Sequence, residues 1–216
     1  MDHPILNRIR QEGFTPFGWF APVDMGETKF VILIGNAGPA MFQRFMREGG
    51  GSAVSIENAS LDDWTRRVVD VLAQDVGAVA AYPFDKPYKP FQQWARAAGV
   101  AHQSPLGINI HNEYGLWHAY RAALMFPVEF DMPPIRAGAH PCESCVAKPC
   151  LSACPVSAFN GRNYDVDACA THLHSANSCM EGGCLARLAC PVGVGYRYER
   201  PQIQFHMKAF KAAHEL

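Results

Sequence analysis

The feature that most constrains this chain is the position of its eight cysteines. All of them lie between Cys142 and Cys190, and none precedes Cys142. Apolar residues make up 49% of the 216 residues and charged residues 18%, which suffices for a packed core and excludes a disordered or fibrous chain. The sequence therefore predicts one large domain, or one domain with an appendage, whose last third is built around thiols.

The charge balance and the N-terminal segment narrow the choice of partners and compartment. Twenty acidic residues against 19 basic ones give a net charge of −1, without the basic excess typical of nucleic-acid-binding surfaces. The longest apolar run, residues 30–34, is too short to span a membrane, and the first residues lack a secretory apolar segment. We therefore predict a cytoplasmic protein with no nucleic-acid partner and no membrane span. Thiols stay reduced in the cytoplasm, so the eight cysteines are expected to be metal ligands rather than disulfides.

The cysteine spacing falls into two sets that both end in Cys-Pro. The sets are Cys142-x2-Cys145-x4-Cys150-x3-Cys154-Pro155 and Cys169, Cys179-x4-Cys184-x5-Cys190-Pro191. In bacterial ferredoxins the run before such a proline supplies three thiolates to one [4Fe–4S] cluster and its fourth to the other cluster. Eight thiolates would thus hold two clusters. The crossed assignment predicts one cluster on Cys142, Cys145, Cys150 and Cys190, and the other on Cys154, Cys169, Cys179 and Cys184.

Departures from the ferredoxin spacing keep an alternative open. Two residues are inserted before Cys150, so the loop carrying Lys148 and Pro149 must bulge, and the second set is wider than usual. Two four-cysteine zinc sites would use the same ligands, although zinc sites rarely end in two Cys-Pro dipeptides. Because eight thiols complete both ligand sets, the flanking histidines are expected to be surface groups or to support the ligands: His140, His172 and His174.

The cysteine-free part predicts alternating strands and helices. Residues 14–21 are aromatic and extended, and residues 29–34 are typical of a buried strand. The glycine-rich residues 49–52 are expected to form a flexible connection. Residues 116–126 are apolar and alanine-rich, and their periodicity does not distinguish a helix from a strand.

A helix is predicted to begin after Ser60, which has the side chain of a helix N-cap, and to end at Gly77. The spacing of its apolar residues predicts an inward face formed by Trp64, Val68, Val71 and Leu72.

One segment carries a resemblance to a known family. Residues 107–121, GINIHNEYGLWHAYR, resemble the CblC (MMACHC) pattern G-x-x-I-H-x-x-[FY]-G-x-W-x-A-x-R. The resemblance implies an α+β sandwich of the flavin-reductase and nitroreductase type that binds cobalamin and removes its upper axial ligand. It also implies that residues 116–126 form a strand.

The resemblance further implies a set of cobalamin-binding residues. His111 would contact the corrinoid or its nucleotide tail, and Gly115 would permit close approach. Trp117 and Arg121 would support the site, although Arg121 could instead only pair with Glu113 or Glu129. The backbone of four residues would line the pocket: Gly107, Ile108, Asn109 and Ile110.

The cysteine region resembles other corrinoid proteins. Epoxyqueuosine reductase and the corrinoid reductive dehalogenases place the same cysteine order after a cobalamin-binding domain, and their clusters feed electrons to cobalt. These resemblances imply a CblC-like domain at residues 1–134 fused to a ferredoxin-like region with two [4Fe–4S] clusters and a closing helix at residues 135–216.

The combined prediction is an oxidoreductase of the cobalamin reductase or decyanase type. Electrons would pass from a donor protein or flavin reductase through two clusters to a bound cobalamin, whose upper ligand would leave. Two alternatives stay open: an electron carrier without a corrinoid, and a corrinoid-dependent reductase like epoxyqueuosine reductase. A flavin in place of cobalamin stays open as well, and no catalytic residue is assigned.

Overall fold

The computed structural model describes residues 3–49, 60–135, 137–175 and 178–214. The chain forms two compact units. The first contains Met1–Ala101 and His118–Gly138, and the second contains His102–Trp117 and Ala139–Leu216. This division groups residues 102–117 with the cysteine region, whereas the predicted domains meet between residues 134 and 135. Within the glycine-rich connection predicted at 49–52, residues 50–52 lie outside the described part.

The secondary structure is mixed, which confirms the predicted α+β class. The strands are β1 (Thr15–Phe20), β2 (Phe30–Ala37), β3 (Val79–Ala81), β4 (Ala101–Gln103), β5 (Asn109–His111) and β6 (His118–Phe126). The helices are α1 (Pro4–Gln11), α2 (Ala40–Gly49), α3 (Leu61–Val76), α4 (Phe91–Ala97), α5 (Pro141–Ser144), α6 (Pro149–Ser152), α7 (Val166–His174), α8 (Ser178–Gly182), α9 (Leu185–Leu188) and α10 (Arg200–Ala213).

The first unit is built on an antiparallel sheet in the order β1-β2-β6-β3. The central strand β2 is buried on both faces because its residues form a continuous apolar run. Its register against β6 shifts between Ile34 and Gly35, where a Cβ atom would collide with the carbonyl of Ala119. The strand implied over residues 116–126 is confirmed as β6.

Helix α3 packs in the first unit and begins and ends as predicted. The Ser60 hydroxyl accepts a hydrogen bond from the amide of Asp63 at 3.0 Å, and Gly77 ends the helix in the left-handed conformation. The inward face differs from the prediction: Val71 is 56% exposed, Val68 is only half-buried, and Val69 is buried. At 100° per residue, Val69 lies 60° from the buried Leu72, whereas Val71 lies 100° from it, at the margin of the buried face.

The second unit contains short helices and a small core of its own. Except for α10, its helices have four to nine residues. Its core combines apolar side chains with thiols: Leu106, Ile110, Leu116, Cys150, Ala158, Phe159, Ala186 and Cys190. Within the described residues, no helix has both the length and the apolar character needed to cross a bilayer.

Candidate functional site

The first cavity of the second unit, cavity I, is lined by four thiols: Cys142, Cys145, Cys150 and Cys190. Helix α5 presents Cys142 because the His140 side chain caps this helix, accepting a hydrogen bond from the Cys142 amide at 3.3 Å. Helix α6 presents Cys150, which is buried. The remaining lining is mostly apolar: Pro105, Ile110, Pro141, Lys148, Pro149, Pro191 and Val192.

A sharp turn before α6 accommodates the two residues inserted before Cys150. Lys148 has a φ of 40°, in the left-handed region that residues with a Cβ atom seldom adopt. Its ammonium group donates to the carbonyl of Cys145 at 3.4 Å. Val146, on the same loop, is 91% exposed. The loop therefore bulges outward while Cys150 stays with Cys142 and Cys145.

The second cavity, cavity II, is lined by the other four thiols: Cys154, Cys169, Cys179 and Cys184. The Asp165 side chain caps α7 by accepting from the Ala168 amide at 2.9 Å, which orients the helix that carries Cys169. The Ala158 amide donates to Cys154 Sγ at 3.4 Å. The rest of the lining is largely apolar: Pro155, Val156, Phe159, His172, Leu173, Leu185, Ala186 and Met207.

Each cavity takes one thiol from the opposite cysteine set. Cys190 joins three thiols of the first set in cavity I, and Cys154 joins three thiols of the second set in cavity II. The two cavities are nearly equal in size. Within the described residues, no three His, Cys, Asp or Glu side chains converge closely enough to hold a single metal ion. That these thiols bind clusters stays a prediction.

Burial raises the pKa of five of the thiols that line the two cavities. Burial raises the pKa of Cys142 to about 11, and the neighbouring thiols of cavity I raise it further. Burial also raises the pKa values of Cys150, Cys169, Cys184 and Cys190. Metal ligation by these groups would therefore release protons, because the thiolate is the ligand.

His111 ends β5, which pairs with β4, and begins a tight loop. Its Nδ1 accepts hydrogen bonds from the amides of Glu113 at 3.0 Å and Tyr114 at 3.3 Å, and its ring stacks on Tyr114. Burial lowers the pKa of His111 to about 4, although nearby Glu113 opposes the shift. The ring is therefore neutral at pH 7, and because Nδ1 is an acceptor, the proton lies on Nε2.

The loop after His111 packs backbone to backbone against the segment after Cys190. A Cβ atom on Gly115 would collide with the carbonyl of Val192, and one on Gly193 would collide with the backbone of Tyr114. Nearby, the Tyr196 hydroxyl donates to Glu113 at 2.5 Å. Glycine is therefore required at both positions of this contact, which joins the His111 loop to the second Cys-Pro end.

Arg187 lies on α9, between cysteines of the two cavities, and contacts residues 116 and 117. Its guanidinium donates twice to the carbonyl of Leu116, at 2.9 and 2.5 Å. It also lies 4.4 Å from the ring centre of Trp117 and 4.6 Å from that of Tyr198. Sequence reasoning missed Arg187 and Tyr198, because nothing in their spacing sets them apart from surface residues.

The predicted cobalamin-binding residues fall into both units. Seven lie in the second unit: Gly107, Ile108, Asn109, Ile110, His111, Gly115 and Trp117. Arg121 lies on β6 of the first unit, where it pairs with Asp62 at 2.6 Å rather than with Glu113 or Glu129, and donates to Thr65. Arg121 thus anchors α3 to the sheet.

Two buried polar side chains of the second unit lack hydrogen-bond partners among the described residues. They are the indole N–H of Trp117, which is 2% exposed, and the side-chain amide of Gln202, which is fully buried. Native proteins rarely leave such groups unpaired, so each is a position at which a ligand or an ordered water is expected.

Comparison with known proteins identifies the fold. No protein-family model and no curated protein matches the chain. A selenomethionine-labelled epoxyqueuosine reductase matches with 16% identity and a TM-score of 0.51 over 83% of this chain and 53% of its own. An epoxyqueuosine reductase with a tRNA-Tyr epoxyqueuosine-modified stem loop matches with 15% identity and a TM-score of 0.53, over 92% of this chain and 68% of its own. The C. elegans B12-trafficking protein CblC matches with 14% identity and a TM-score of 0.54, over 98% of this chain and 96% of its own.

The chain has a CblC-like fold. The same fold occurs in epoxyqueuosine reductase, although the chain spans about half the length of the first of those structures and nearly all of CblC. At these identities the likeness concerns the fold alone. One of these neighbours is solved with a tRNA stem loop, so the fold does not argue against a nucleic-acid partner. The prediction that this chain has no such partner is supported only by its net charge.

Proposed function

We propose that this protein reduces a bound corrinoid with electrons that pass through two [4Fe–4S] clusters, and so releases the upper ligand of cobalt. In this proposal the first unit is a nitroreductase-like sandwich, and the second unit is a ferredoxin-like region with two clusters. The fold shared with CblC and epoxyqueuosine reductase supports a corrinoid-related redox role.

The donor sets of both cavities fit iron–sulfur clusters. Each cavity offers four thiols in mostly apolar surroundings, which is the ligand set of a [4Fe–4S] cluster. When bound, the clusters would supply one-electron transfer between an external donor and cobalt. The chain would tune them through hydrogen bonds to sulfur, such as that from the Ala158 amide to Cys154.

The observation that carries the proposal is the lining of cavity I. Ile110, the neighbour of His111, lines this cavity together with Val192, the residue that Gly115 packs against. Among the described residues that line cavity II, none belongs to residues 102–117. The thiols of cavity I are therefore next to the His111 loop, so electrons would travel from cavity II to cavity I and then to a corrinoid at this loop.

The tautomer of His111 defines its role in this proposal. Two backbone amides donate to Nδ1, so Nε2 carries the proton and is the nitrogen that would donate a hydrogen bond to a ligand. A protonated nitrogen has no lone pair for cobalt, so His111 would orient the corrinoid by hydrogen bonding rather than ligate the metal.

The reaction balances with one electron per cobalt. When bound, the clusters held by the eight thiols would supply the single electron that takes cobalt(III) to cobalt(II), and the upper ligand would leave with the bonding electron pair. An external one-electron donor, either a reduced flavoprotein or another iron–sulfur protein, would replace that electron.

A second candidate, a corrinoid-dependent reductase like epoxyqueuosine reductase, is supported by the fold shared with those enzymes. The two candidates differ in what is reduced, the corrinoid itself or a second substrate, and the experiments below distinguish them.

Anaerobic reconstitution with iron and sulfide tests the proposal. We expect about eight iron atoms per chain and a brown protein, as the ligand count requires. Zinc at two atoms per chain without sulfide would refute the clusters.

Cys154→Ser should disrupt the cluster of cavity II and Cys190→Ser that of cavity I, each judged by iron content and electron paramagnetic resonance. Ser152→Ala, an exposed neighbour of Cys154, is the matched control.

Addition of hydroxocobalamin to the loaded protein tests the corrinoid. Its visible bands should shift at excess protein, and cyanocobalamin should lose cyanide when dithionite is the electron donor. An unchanged spectrum would favour the electron-carrier alternative, and a flavin that binds instead would show its own absorption. Reduction of an epoxyqueuosine-containing stem loop, with no loss of cyanide from cyanocobalamin, would favour the second candidate.

A further inference from the structure

Arg187 links two parts of the second unit that have separate roles in the proposed function. On one side it belongs to α9, which begins after Cys184 of cavity II and leads to Cys190 of cavity I. On the other side it holds the end of the His111 segment by two hydrogen bonds to the carbonyl of Leu116. Its guanidinium is enclosed between the rings of Trp117 and Tyr198, which themselves meet edge to face at 5.4 Å.

Helix α9 has little stability of its own. It comprises four residues, far fewer than an isolated helix needs, and no side chain caps its N-terminus. Its position therefore depends on its packing against α6 and on the segments that flank it. Cys184 of cavity II directly precedes α9 and Cys190 of cavity I follows two residues after its end, so a metal group in both cavities would restrain α9 from both sides.

We propose that Arg187 couples the loading of the two cysteine cavities to the order of the His111 loop. This inference rests on the proposed function, since it takes the thiols as metal ligands. Loading would fix α9, α9 would fix Arg187, and Arg187 would fix Leu116 and Trp117 at the end of the loop. Arg187 is then a positioning residue, and the corrinoid site would form only in protein that already holds its clusters.

The geometry explains why arginine is needed at this position. A planar guanidinium can lie between two aromatic rings and still direct two N–H groups at one carbonyl, whereas a lysine ammonium is a point charge that makes one such contact. The pair of glycine contacts between residues 115 and 193 then extends the restraint from Leu116 back toward His111. The backbone hydrogen bonds between His111 and Gly115, both 2.9 Å, report on the order of this loop.

Hydrogen exchange on the full chain, with and without bound metal, tests the coupling. Loading the wild-type protein should slow amide exchange over residues 107–117 by about tenfold or more, as expected for a segment held by charge-assisted hydrogen bonds. In Arg187→Met the same loading should leave this exchange within about threefold of the metal-free rate, while iron content stays at the wild-type level. Arg187→Lys should fall between the two.

Arg162→Met is the matched control, because Arg162 also lies in the second unit but is exposed and outside α9. It should keep the wild-type response to loading. Equal protection of residues 107–117 in wild type and Arg187→Met would overturn the coupling, as would protection that does not depend on metal.

The same samples separate this inference from the proposed function. Hydroxocobalamin should bind the loaded wild type and bind loaded Arg187→Met about tenfold more weakly. If the loaded wild type binds no corrinoid, the proposed function fails, but the exchange data still decide the coupling. If the chain takes up zinc in place of clusters, the exchange comparison is made with zinc. A chain that takes up neither metal overturns the coupling as well.

Discussion

The two compact units are stabilised in different ways. The first buries large apolar side chains in a sheet of four strands and against the 16-residue helix α3. The second contains helices of four to nine residues before α10, and its small core includes Cys150 and Cys190. Burial of apolar surface is the main source of stability in folded proteins, so the first unit has enough of it and the second has little.

This difference shows how a short region can hold a defined structure without a large core. Small domains with few apolar contacts usually need disulfides or metals, and every described cysteine of this chain is a free thiol. Binding free energy at a metal group then becomes folding free energy. The second unit should therefore depend on its metal, and the first should not.

Removal of the metal should have the largest effect. We expect chelation of the reconstituted protein to abolish protection from hydrogen exchange across residues 139–214, because the five short helices that carry or flank the thiols are each too short to be stable alone. Residues 30–37 of β2 should keep their protection. Hydrogen exchange followed by mass spectrometry measures both regions in one sample. Loss of protection in β2 together with the cysteine region would contradict the proposed independence of the first unit.

A substitution that creates a cavity in the core of the first unit should destabilise that unit and leave the second unit unchanged. Leu33 on β2 is fully buried, so Leu33→Ala should lower the free energy of unfolding of this unit by about 3 kcal/mol. Iron content per folded chain should not change. Val71→Ala is the control, because Val71 is 56% exposed and its truncation should cost under about 0.5 kcal/mol. Denaturant titration followed by circular dichroism gives both values.

The first unit was largely predictable from sequence, because periodicity and capping residues act locally. The buried strand β2, the Ser60 cap and the end of α3 at Gly77 follow from such patterns. The prediction for Val71 was wrong because this residue lies at the margin of the apolar face, 100° from Leu72, where packing rather than periodicity decides which side chains are buried. The strand at residues 118–126 needed the family resemblance, since its alanines favour a helix by propensity.

The second unit was predictable in a different way. The spacing of the cysteines and the two Cys-Pro ends indicated which thiols share a cavity, because both features can be read directly from the sequence. The contacts of Gly115 with Val192 and of Arg187 with Leu116 join residues more than 70 positions apart. No local pattern encodes such contacts, so the attachment of the His111 loop to the cysteine region came only from the structure.

Gly115 allows a sharper test of this attachment. Gly115→Ala should destabilise the second unit by about 2 kcal/mol and weaken the response to hydroxocobalamin, because a Cβ atom there collides with a backbone carbonyl that cannot move freely. Gly107→Ala is the matched control. Both glycines have positive φ, 57° and 79°, but a Cβ atom on Gly107 meets nothing within 4 Å. Equal destabilisation by the two variants would mean that backbone strain alone accounts for the effect.

The cap of α3 should have a smaller effect, confined to the first unit. Ser60→Ala removes the acceptor for the Asp63 amide and should lower the free energy of unfolding by about 1 kcal/mol. Ser60→Asp should restore most of the loss, since a carboxylate also caps and suits the positive end of the helix. The iron content and the hydrogen exchange of residues 139–214 should be the same in all three proteins. A change in either would show that the first unit supports the second.

The smallest expected effect is the pH dependence that His111 gives to the second unit. Its pKa is about 4 in the folded protein, lowered mainly by burial, against about 6.5 for an exposed histidine. Between these values the unfolded chain takes up a proton that the folded chain does not, so stability should fall as the pH drops from 6.5 to 4 and should not depend on His111 above 6.5.

Glu113 and His102 face the ring, and since their charges act in both the wild type and His111→Asn, the comparison cancels them to first order. Because the ring is only half-buried, solvent screening reduces the effect well below that of the full pKa difference, and the Tm of the loaded wild type should fall by roughly 2–4 °C more than that of His111→Asn across this window. The exposed His174→Asn should follow the wild type. A parallel decline in the wild type and His111→Asn would mean that acid acts on the second unit through its thiols alone, and that His111 does not have the buried neutral ring on which its hydrogen-bonding role depends.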